Sequence, residues 1–272
     1  MSESPPRSDV LDVEMRDNLA LVTLNRPEQG NALCEELMFA LKDATGWLVC
    51  QPQLRGVVIT GAGGTFCVGA DLREHQAILD SGQRLTPEEY WQRWQLPLTS
   101  IVRSLQELRC PVIGAVNGQA AGAGFALALA CDIRIAARRA AFNFAYGGIG
   151  ASTDAGMSWF LPRIVGHARA VELLMEQPVL RAPAARDAGL VNRVVEEGAF
   201  LAAVWEYAEE LAAKAPHAVR NAKRLVRSGW QMPLEEFLAA EADVFVAGLY
   251  TDDIRRGIAA RLTGEWPVFT GR

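Results

Sequence analysis

Short apolar runs alternate along the chain with segments whose apolar positions recur every three or four residues. The apolar runs, whose length is typical of buried strands, lie at residues 19–24, 55–60, 112–116, 132–137 and 190–195. The helical periodicity falls at residues 99–108, 124–130, 156–165, 167–175 and 183–188. Another helix follows the first strand, with Asn31 as its expected N-cap. Strands that alternate with helices predict an α/β fold with largely parallel pairing.

From about residue 200 onward the pattern is helical only. A stripe of apolar side chains runs at helical spacing through Leu201, Val204, Ala208 and Leu211. We therefore divide the chain into an α/β part, residues 1–199, and a helical part, residues 200–272. The stripe predicts that the helical part packs on the core or on a neighbouring subunit.

Two turns built of small residues each follow a predicted strand and lead into a helical pattern. The first occupies residues 61–72 and the second residues 116–124. Small side chains let a ligand approach the backbone closely, and free N–H groups at a strand-to-helix turn attract negative charge. Two such turns directed at one point would form an oxyanion hole, which stabilises the charge that develops in acyl chemistry.

The composition narrows the range of partners. A formal net charge of −5 argues against nucleic acid or an anionic membrane surface as the main partner. The three histidines lack the spacing of metal ligands, so we expect no metal site. The five cysteines contain no CxxC pair, which favours a reduced, cytoplasmic setting. No apolar run is long enough to span a bilayer, so we expect no membrane association.

Several motifs, in order along most of the chain, resemble the enoyl-CoA hydratase/isomerase, or crotonase, superfamily. They lie at residues 25–28, 31–33, 66–72, 111–118, 120–124, 130–133, 160–163 and 267–272. The resemblance implies that residues 1–199 form a spiral of repeated β-β-α units and that residues 200–272 form a helical assembly region. It also implies a homotrimer or a dimer of trimers. The implied substrate is an acyl-CoA thioester of fatty acid metabolism, with coenzyme A as part of the substrate and no separate cofactor.

The resemblance also implies a set of site residues. By family position, the backbone N–H groups of Ala70 and Ala123 would hold the thioester oxygen. Further substrate contacts would come from Ala32, Asp71, Leu72, Arg73, Gly122 and Tyr146. Gln29 departs from the family pattern, because many relatives have a lysine or arginine there for the coenzyme A phosphates.

The positions of the family's acid and base groups separate the possible reactions. Hydratases of this family use two glutamates, and the corresponding positions hold Ala126 and Tyr146. A two-glutamate hydration is therefore not supported. The aryl-CoA dehalogenases need a histidine where this chain has Thr99, which argues against dehalogenation.

One acid remains in the right neighbourhood, Asp154, where isomerases of the family often carry an aspartate. A lone carboxylate can remove a proton from one carbon and return it to another, so isomerisation is the favoured chemistry. Two other hypotheses stay open: a hydratase with an atypical base from residues 80–89, and a catalytically degenerate acyl-CoA-binding subunit. Asp154 also precedes a helical pattern, so the alternative to a catalytic role is that Asp154 caps this helix.

Overall fold

A computed structural model describes residues 4–82 and 84–272 of the chain. The strands are β1 (Leu11–Arg16), β2 (Leu19–Leu24), β3 (Gly56–Gly61), β4 (Val112–Val116), β5 (Gln119–Ala121), β6 (Ile133–Ala137), β7 (Ala141–Asn143), β8 (Val179–Arg181) and β9 (Arg193–Val195). The helices of the first part are α1 (Glu35–Val49), α2 (Leu72–Asp80), α3 (Pro87–Tyr90), α4 (Leu96–Glu107), α5 (Gly122–Ala130), α6 (Met157–Val165), α7 (His167–Glu176) and α8 (Ala182–Asp187). The last helices are α9 (Phe200–Ala212), α10 (Pro216–Ser228), α11 (Leu234–Gly248) and α12 (Asp252–Thr263).

The strands form two sheets. The larger sheet has the order β1-β2-β3-β4-β6-β9, and the smaller one has the order β5-β7-β8. Among the described strands of the larger sheet, β1 alone pairs antiparallel, with β2, and the remaining pairs are parallel. The predicted α/β fold with largely parallel pairing and a helical C-terminal region is therefore confirmed.

Helices cover both faces of the larger sheet. On one face α1, α4 and α5 pack around a core that includes Leu41, Ile101 and Phe125. On the other face α9 inserts Val204 and Ala208 against the strands. Because the central strands are buried on both sides, they are apolar at successive positions rather than alternating. The division of the chain at residue 199 stays a prediction.

Several local predictions needed correction. Asn31 is not the N-cap of α1, because Cys34 holds that position and its sulfur accepts from the Leu37 N–H. Strand β9 begins at Arg193 rather than at residue 190, and α4 begins at Leu96 rather than at residue 99. The polar stretch 80–92 is not irregular throughout. Its described residues include α3, which begins with a capping box between Thr86 and Glu89; residue 83 lies outside the described residues.

Asn31 has a different structural role, which explains the failed prediction. Its φ is 55°, and its side chain is buried between two loops. The side-chain amide donates to the carbonyl oxygens of Ala62 and Thr65, at 3.0 and 2.7 Å, while its oxygen accepts from the Arg26 N–H. Asn31 thus fastens the loop after β2 to the first small-residue turn.

Candidate functional site

The two small-residue turns are joined by main-chain hydrogen bonds. The N–H groups of Phe66 and Cys67 donate to the Gln119 carbonyl at 3.0 and 3.1 Å. In return, the Ala121 N–H donates to the Cys67 carbonyl at 2.9 Å. The smaller sheet and the first turn therefore meet, although the two turns belong to distant parts of the sequence.

Ala70 lies at the centre of a short parallel bridge. The Leu33 N–H donates to the Gly69 carbonyl at 2.7 Å, and the Asp71 N–H donates to the Leu33 carbonyl at 3.2 Å. In this pattern the central residue directs its own N–H away from the partner segment. Within residues 4–82 and 84–272 no main-chain or side-chain acceptor is bonded to the Ala70 N–H.

The second free N–H belongs to the first turn of α5. Ala123 follows Gly122 at the start of this helix, where the first N–H groups have no intrahelical acceptor. A Cβ atom added to Gly69, whose φ is +92°, would lie 3.3 Å from the Ala123 nitrogen and 2.8 Å from the Ala121 carbonyl oxygen. The backbone next to Ala70 therefore touches the backbone that carries Ala123. The two N–H groups lie at one junction, where a helix N-terminus favours negative charge.

A partly buried ion pair stabilises the Ala70 segment. Nη1 of Arg26 donates to Oδ2 of Asp71 at 2.9 Å and to the Ala32 carbonyl at 2.6 Å. Asp71 also begins α2 as its N-cap, accepting from the N–H groups of Arg73 and Glu74. Burial raises the pKa of Asp71, but the bonds from Arg26 and the backbone outweigh it, so the pKa lies below its usual range. Asp71 thus braces the loop that carries Ala70 and caps α2, while its role as a substrate contact stays a prediction.

Tyr146 and Asp154 form the acidic part of the site. The Tyr146 hydroxyl donates to Oδ1 of Asp154 at 2.9 Å. Burial raises the pKa of Asp154, while the hydrogen bonds from Tyr146 and from the Gln95 side chain partly oppose that rise. Burial also raises the pKa of Tyr146, so its phenol keeps its proton at neutral pH.

Cys67 connects this acidic pair to the junction of the turns. Cys67 and Tyr146 belong to the same core cluster of buried residues. The Cys67 sulfur would lie 2.6 Å from a Cβ atom added to Gly124, so no larger residue fits there. Burial raises the pKa of Cys67 to about 12, which keeps the thiol neutral. Tyr146, which donates to Asp154, therefore shares one core cluster with Cys67 and Ala123.

Asp154 does not cap the following helix. The N-cap of α6 is Gly156, in the left-handed conformation with φ 79°, and no side chain caps this helix. The carboxylate instead accepts a hydrogen bond from the Tyr146 hydroxyl. The structural alternative raised from the sequence therefore does not account for this residue.

The remaining predicted contacts lie around this region. Ala32 is buried beside Arg26, and Gly122 is buried at the start of α5. Leu72 and Arg73 lie exposed in the first turn of α2. Sequence reasoning missed Gln95, which lies at the end of a π-helical turn, Trp91–Gln95, between α3 and α4. Pro97, two residues later, is the sequence signal for an irregular helix at this point.

Residues 4–82 and 84–272 contain no group of three or more His, Cys, Asp or Glu side chains able to hold a metal ion. No helix in the same ranges is both long and apolar enough to cross a membrane.

Comparison with known proteins gives the family. The enoyl-CoA hydratase/isomerase family model matches residues 14–272. A crotonyl-CoA hydratase of Syntrophomonas wolfei is 34% identical over 251 residues, covering 92% of this chain and 94% of the relative. A 1,2-epoxyphenylacetyl-CoA isomerase of Escherichia coli is 35% identical over 251 residues, with coverage of 92% and 94%. The crystal structure of an enoyl-CoA hydratase from Polaromonas sp. JS666 matches with a TM-score of 0.88 at 37% identity, covering 96% of this chain and 99% of that one.

The fold is thus that of the crotonase superfamily. The chain belongs to the enoyl-CoA hydratase/isomerase family, as the sequence resemblance indicated, and is an acyl-CoA-binding enzyme of that family.

Proposed function

We propose that this enzyme is an enoyl-CoA isomerase that shifts a double bond beside a thioester, with Asp154 as the proton shuttle. The observation that carries the proposal is the partly buried Asp154 carboxylate, which accepts a hydrogen bond from the Tyr146 hydroxyl at 2.9 Å. The relatives' names include both a hydratase and an isomerase, so they do not choose between the two reactions.

The proposed reaction proceeds through an enolate. The N–H groups of Ala70 and Ala123 donate to the thioester oxygen, and Asp154 takes a proton from carbon, leaving the electron pair conjugated with the thioester. The protonated Asp154 then returns the proton to a different carbon of the conjugated system, and the double bond moves. Atoms and electrons balance without oxidation, so the coenzyme A of the substrate is the only cofactor group that the reaction needs.

The side chains present do not support hydration by two glutamates, the mechanism of the family's hydratases. Ala126 lies fully buried in α5 and offers no proton-transferring group. Tyr146 occupies the other position, and its raised pKa keeps the phenol protonated, so it serves as a donor rather than as a base. Asp154 is then a single acid–base group, which suffices for a proton shift.

The stretch of residues 80–89 does not favour an alternative base. Asp80 accepts from the Gln76 amide at 2.7 Å, and Glu88 accepts from Gln92 at 2.8 Å. Glu89 accepts from the Thr86 N–H at 2.7 Å as part of the capping box. All three carboxylates are exposed and engaged in local contacts on their own helices.

Turnover of a panel of enoyl-CoA thioesters in deuterated water, with the products analysed by mass, tests the proposal. We expect deuterium incorporation together with a moved double bond. Addition of water would instead identify a hydratase. Binding without turnover across the panel would identify an acyl-CoA-binding subunit that lacks catalysis.

We also propose that the helical region mediates assembly into a homotrimer or a dimer of trimers. Large apolar side chains are exposed on α10 to α12 and the tail that follows, including Val226, Phe245, Leu262 and Trp266. An apolar groove of about 1120 Å³ lies between these helices. Exposed apolar surface of this extent is typical of contacts between subunits. Native mass spectrometry should show three or six chains, and a monomer would contradict this part of the proposal.

A further inference from the structure

Gln177 ends α7 in a backbone conformation that is unusual for a glutamine. Its φ is 51°, in the left-handed region, and its N–H donates to the Leu173 carbonyl at 2.9 Å. Glycine is the usual residue in this conformation at a helix end, because a Cβ atom strains the backbone there. The strained position therefore points to a role for the side chain, which glycine lacks.

The Gln177 side chain bonds to the loop that carries Tyr146. Its Oε1 accepts from the Gly147 N–H at 3.0 Å, although the two residues are 30 positions apart in the sequence. The amide also lies close to the loop backbone, because a Cβ atom added to Gly147 would overlap Nε2 of Gln177. Gly147 directly follows Tyr146, so the contact fixes one end of the segment that carries the phenol.

The segment on the other side of Tyr146 is held by local contacts. The Ala145 N–H donates to Oδ1 of Asn143 at 3.1 Å, and Ala145 has a left-handed φ of 53°. The Tyr146 carbonyl accepts from the Ala151 N–H at 3.0 Å, which closes the loop. Gln177, by contrast, ties this loop to a helix that is distant in the sequence.

We infer that Gln177 is a positioning residue, which fixes the Tyr146 hydroxyl against the Asp154 carboxylate. The hydroxyl donates to Oδ1 of Asp154 at 2.9 Å, so a shift of the loop moves this donor relative to the acid. A displacement of about 1 Å at a reacting group can cost ~100-fold in rate. The catalytic meaning of this inference rests on the proposed isomerase function, but the contact between Tyr146 and Asp154 can be measured without turnover.

The first pair of variants changes the glutamine. Gln177→Gly removes the amide but relieves the left-handed strain, and the lost bond lies at the surface, so we expect little change in Tm. Gln177→Glu keeps an acceptor oxygen and should preserve the contact. Asp17→Gly is the matched backbone control, because Asp17 also has a left-handed φ, 56°, but lies in the turn between β1 and β2.

The second pair of variants changes the loop. In Gly147→Ala the new Cβ atom should displace the end of the flexible Gln177 side chain. Gly147 itself is not in the left-handed region, so its backbone accepts alanine. Gly148→Ala is the matched control, because a Cβ atom added there meets no heavy atom of the described residues within 4 Å.

Nuclear magnetic resonance of the full-length protein follows the phenol directly. Tyrosine labelled with ¹³C at the ring carbon that bears the hydroxyl reports the hydrogen bond, and the Tyr146→Phe spectrum assigns the signal. We expect the signal to shift in Gln177→Gly and Gly147→Ala. It should keep its wild-type position in Gln177→Glu, Gly148→Ala and Asp17→Gly.

Steady-state kinetics measure the consequence for proton transfer. Gln177→Gly and Gly147→Ala should lower kcat by about tenfold while KM for the acyl-CoA stays the same, since the reacting groups move but the thioester contacts do not. Gln177→Glu should restore kcat, which a general loss of stability at this position would not explain.

A Tyr146 signal that matches the wild type in both Gln177→Gly and Gly147→Ala would overturn the inference. A shifted signal with an unchanged kcat would also overturn it, because the contact would then have no effect on proton transfer. If the signal shifts but the wild-type enzyme moves no double bond in deuterated water, the contact stands and the isomerase proposal fails.

Discussion

The phenolic oxygen of Tyr146 lies 2.9 Å from Oδ1 of Asp154, at the position where hydratases of this family keep a glutamate. A tyrosine there cannot supply a second carboxylate, but it donates a hydrogen bond to the remaining one. Where the hydratases have two glutamates, this site therefore has one acid, Asp154, and one hydrogen-bond donor, Tyr146. This exchange is the structural basis for favouring a proton shift over the addition of water.

Removal of the phenol should make Asp154 a weaker base. In Tyr146→Phe the carboxylate loses one donor but stays buried, so its pKa should rise further above the usual value. The acid limb of kcat/KM should then move to higher pH. The pH–rate profile measures this shift, and Tyr90→Phe, on a different helix, serves as the control. An unchanged pH–rate profile would contradict an effect of the Tyr146 hydroxyl on the pKa of Asp154.

Asp154→Asn should remove the proton shuttle while leaving the N–H groups of Ala70 and Ala123 in place. We expect turnover to fall by at least ~100-fold, the typical contribution of a positioned acid or base. Binding of the acyl-CoA, measured by calorimetry, should change little. Asp80→Asn removes an exposed carboxylate from the stretch that supplied the alternative base, and it should retain full turnover.

Asp154→Asn should also stabilise the folded protein at neutral pH. The pKa of Asp154 is raised in the folded state, so ionisation of this group costs stability as the pH rises above the unfolded value, about 4. Asparagine is neutral at every pH and removes that cost. Thermal unfolding should show a higher Tm for Asp154→Asn at neutral pH, and the gain should vanish in acid. A constant difference across this range would contradict the linkage.

Ala123→Pro should delete one proposed donor to the thioester oxygen. Proline is tolerated in the first turn of a helix, because the N–H there has no intrahelical acceptor. We expect a loss of roughly 3 kcal/mol in transition-state stabilisation, measured from kcat/KM. Ala123→Gly keeps the N–H and is the matched control. A folded proline variant with the wild-type rate would exclude Ala123 as a donor.

The ion pair between Arg26 and Asp71 should give the enzyme an acid-sensitive component of stability. The pKa of Asp71 is lowered in the folded protein. Its contribution to the free energy of unfolding is therefore present above the pKa of the unfolded chain, and it is lost as the pH falls through the pKa of the folded protein. Asp71→Asn should cost about 1–3 kcal/mol at neutral pH, and the difference from the wild type should shrink in acid. Urea unfolding at two pH values measures both. Asp43→Asn, an exposed partner of Lys42, should have little effect at either pH.

Much of the fold followed from local patterns. The bounds of β2 agree with the apolar run at residues 19–24, and α7 agrees closely with its predicted range. The cap at Asp71 was also predictable, because capping depends on residues within one helical turn. Asn31 was predicted wrongly because its side chain bonds to Ala62 and Thr65, which are distant in the sequence.

The sequence by itself determined the order of strands and helices, the two small-residue turns and the absence of carboxylates at residues 126 and 146. It also singled out Asp154, whose catalytic role, like those of Ala70 and Ala123, stays a prediction. Only the tertiary structure decided that Asp154 accepts from Tyr146 rather than capping α6. The physical reason is that local spacing sets which residues form a helix or a turn. Burial and hydrogen bonds between distant segments set which side chains meet, and through burial they set the pKa of the acid.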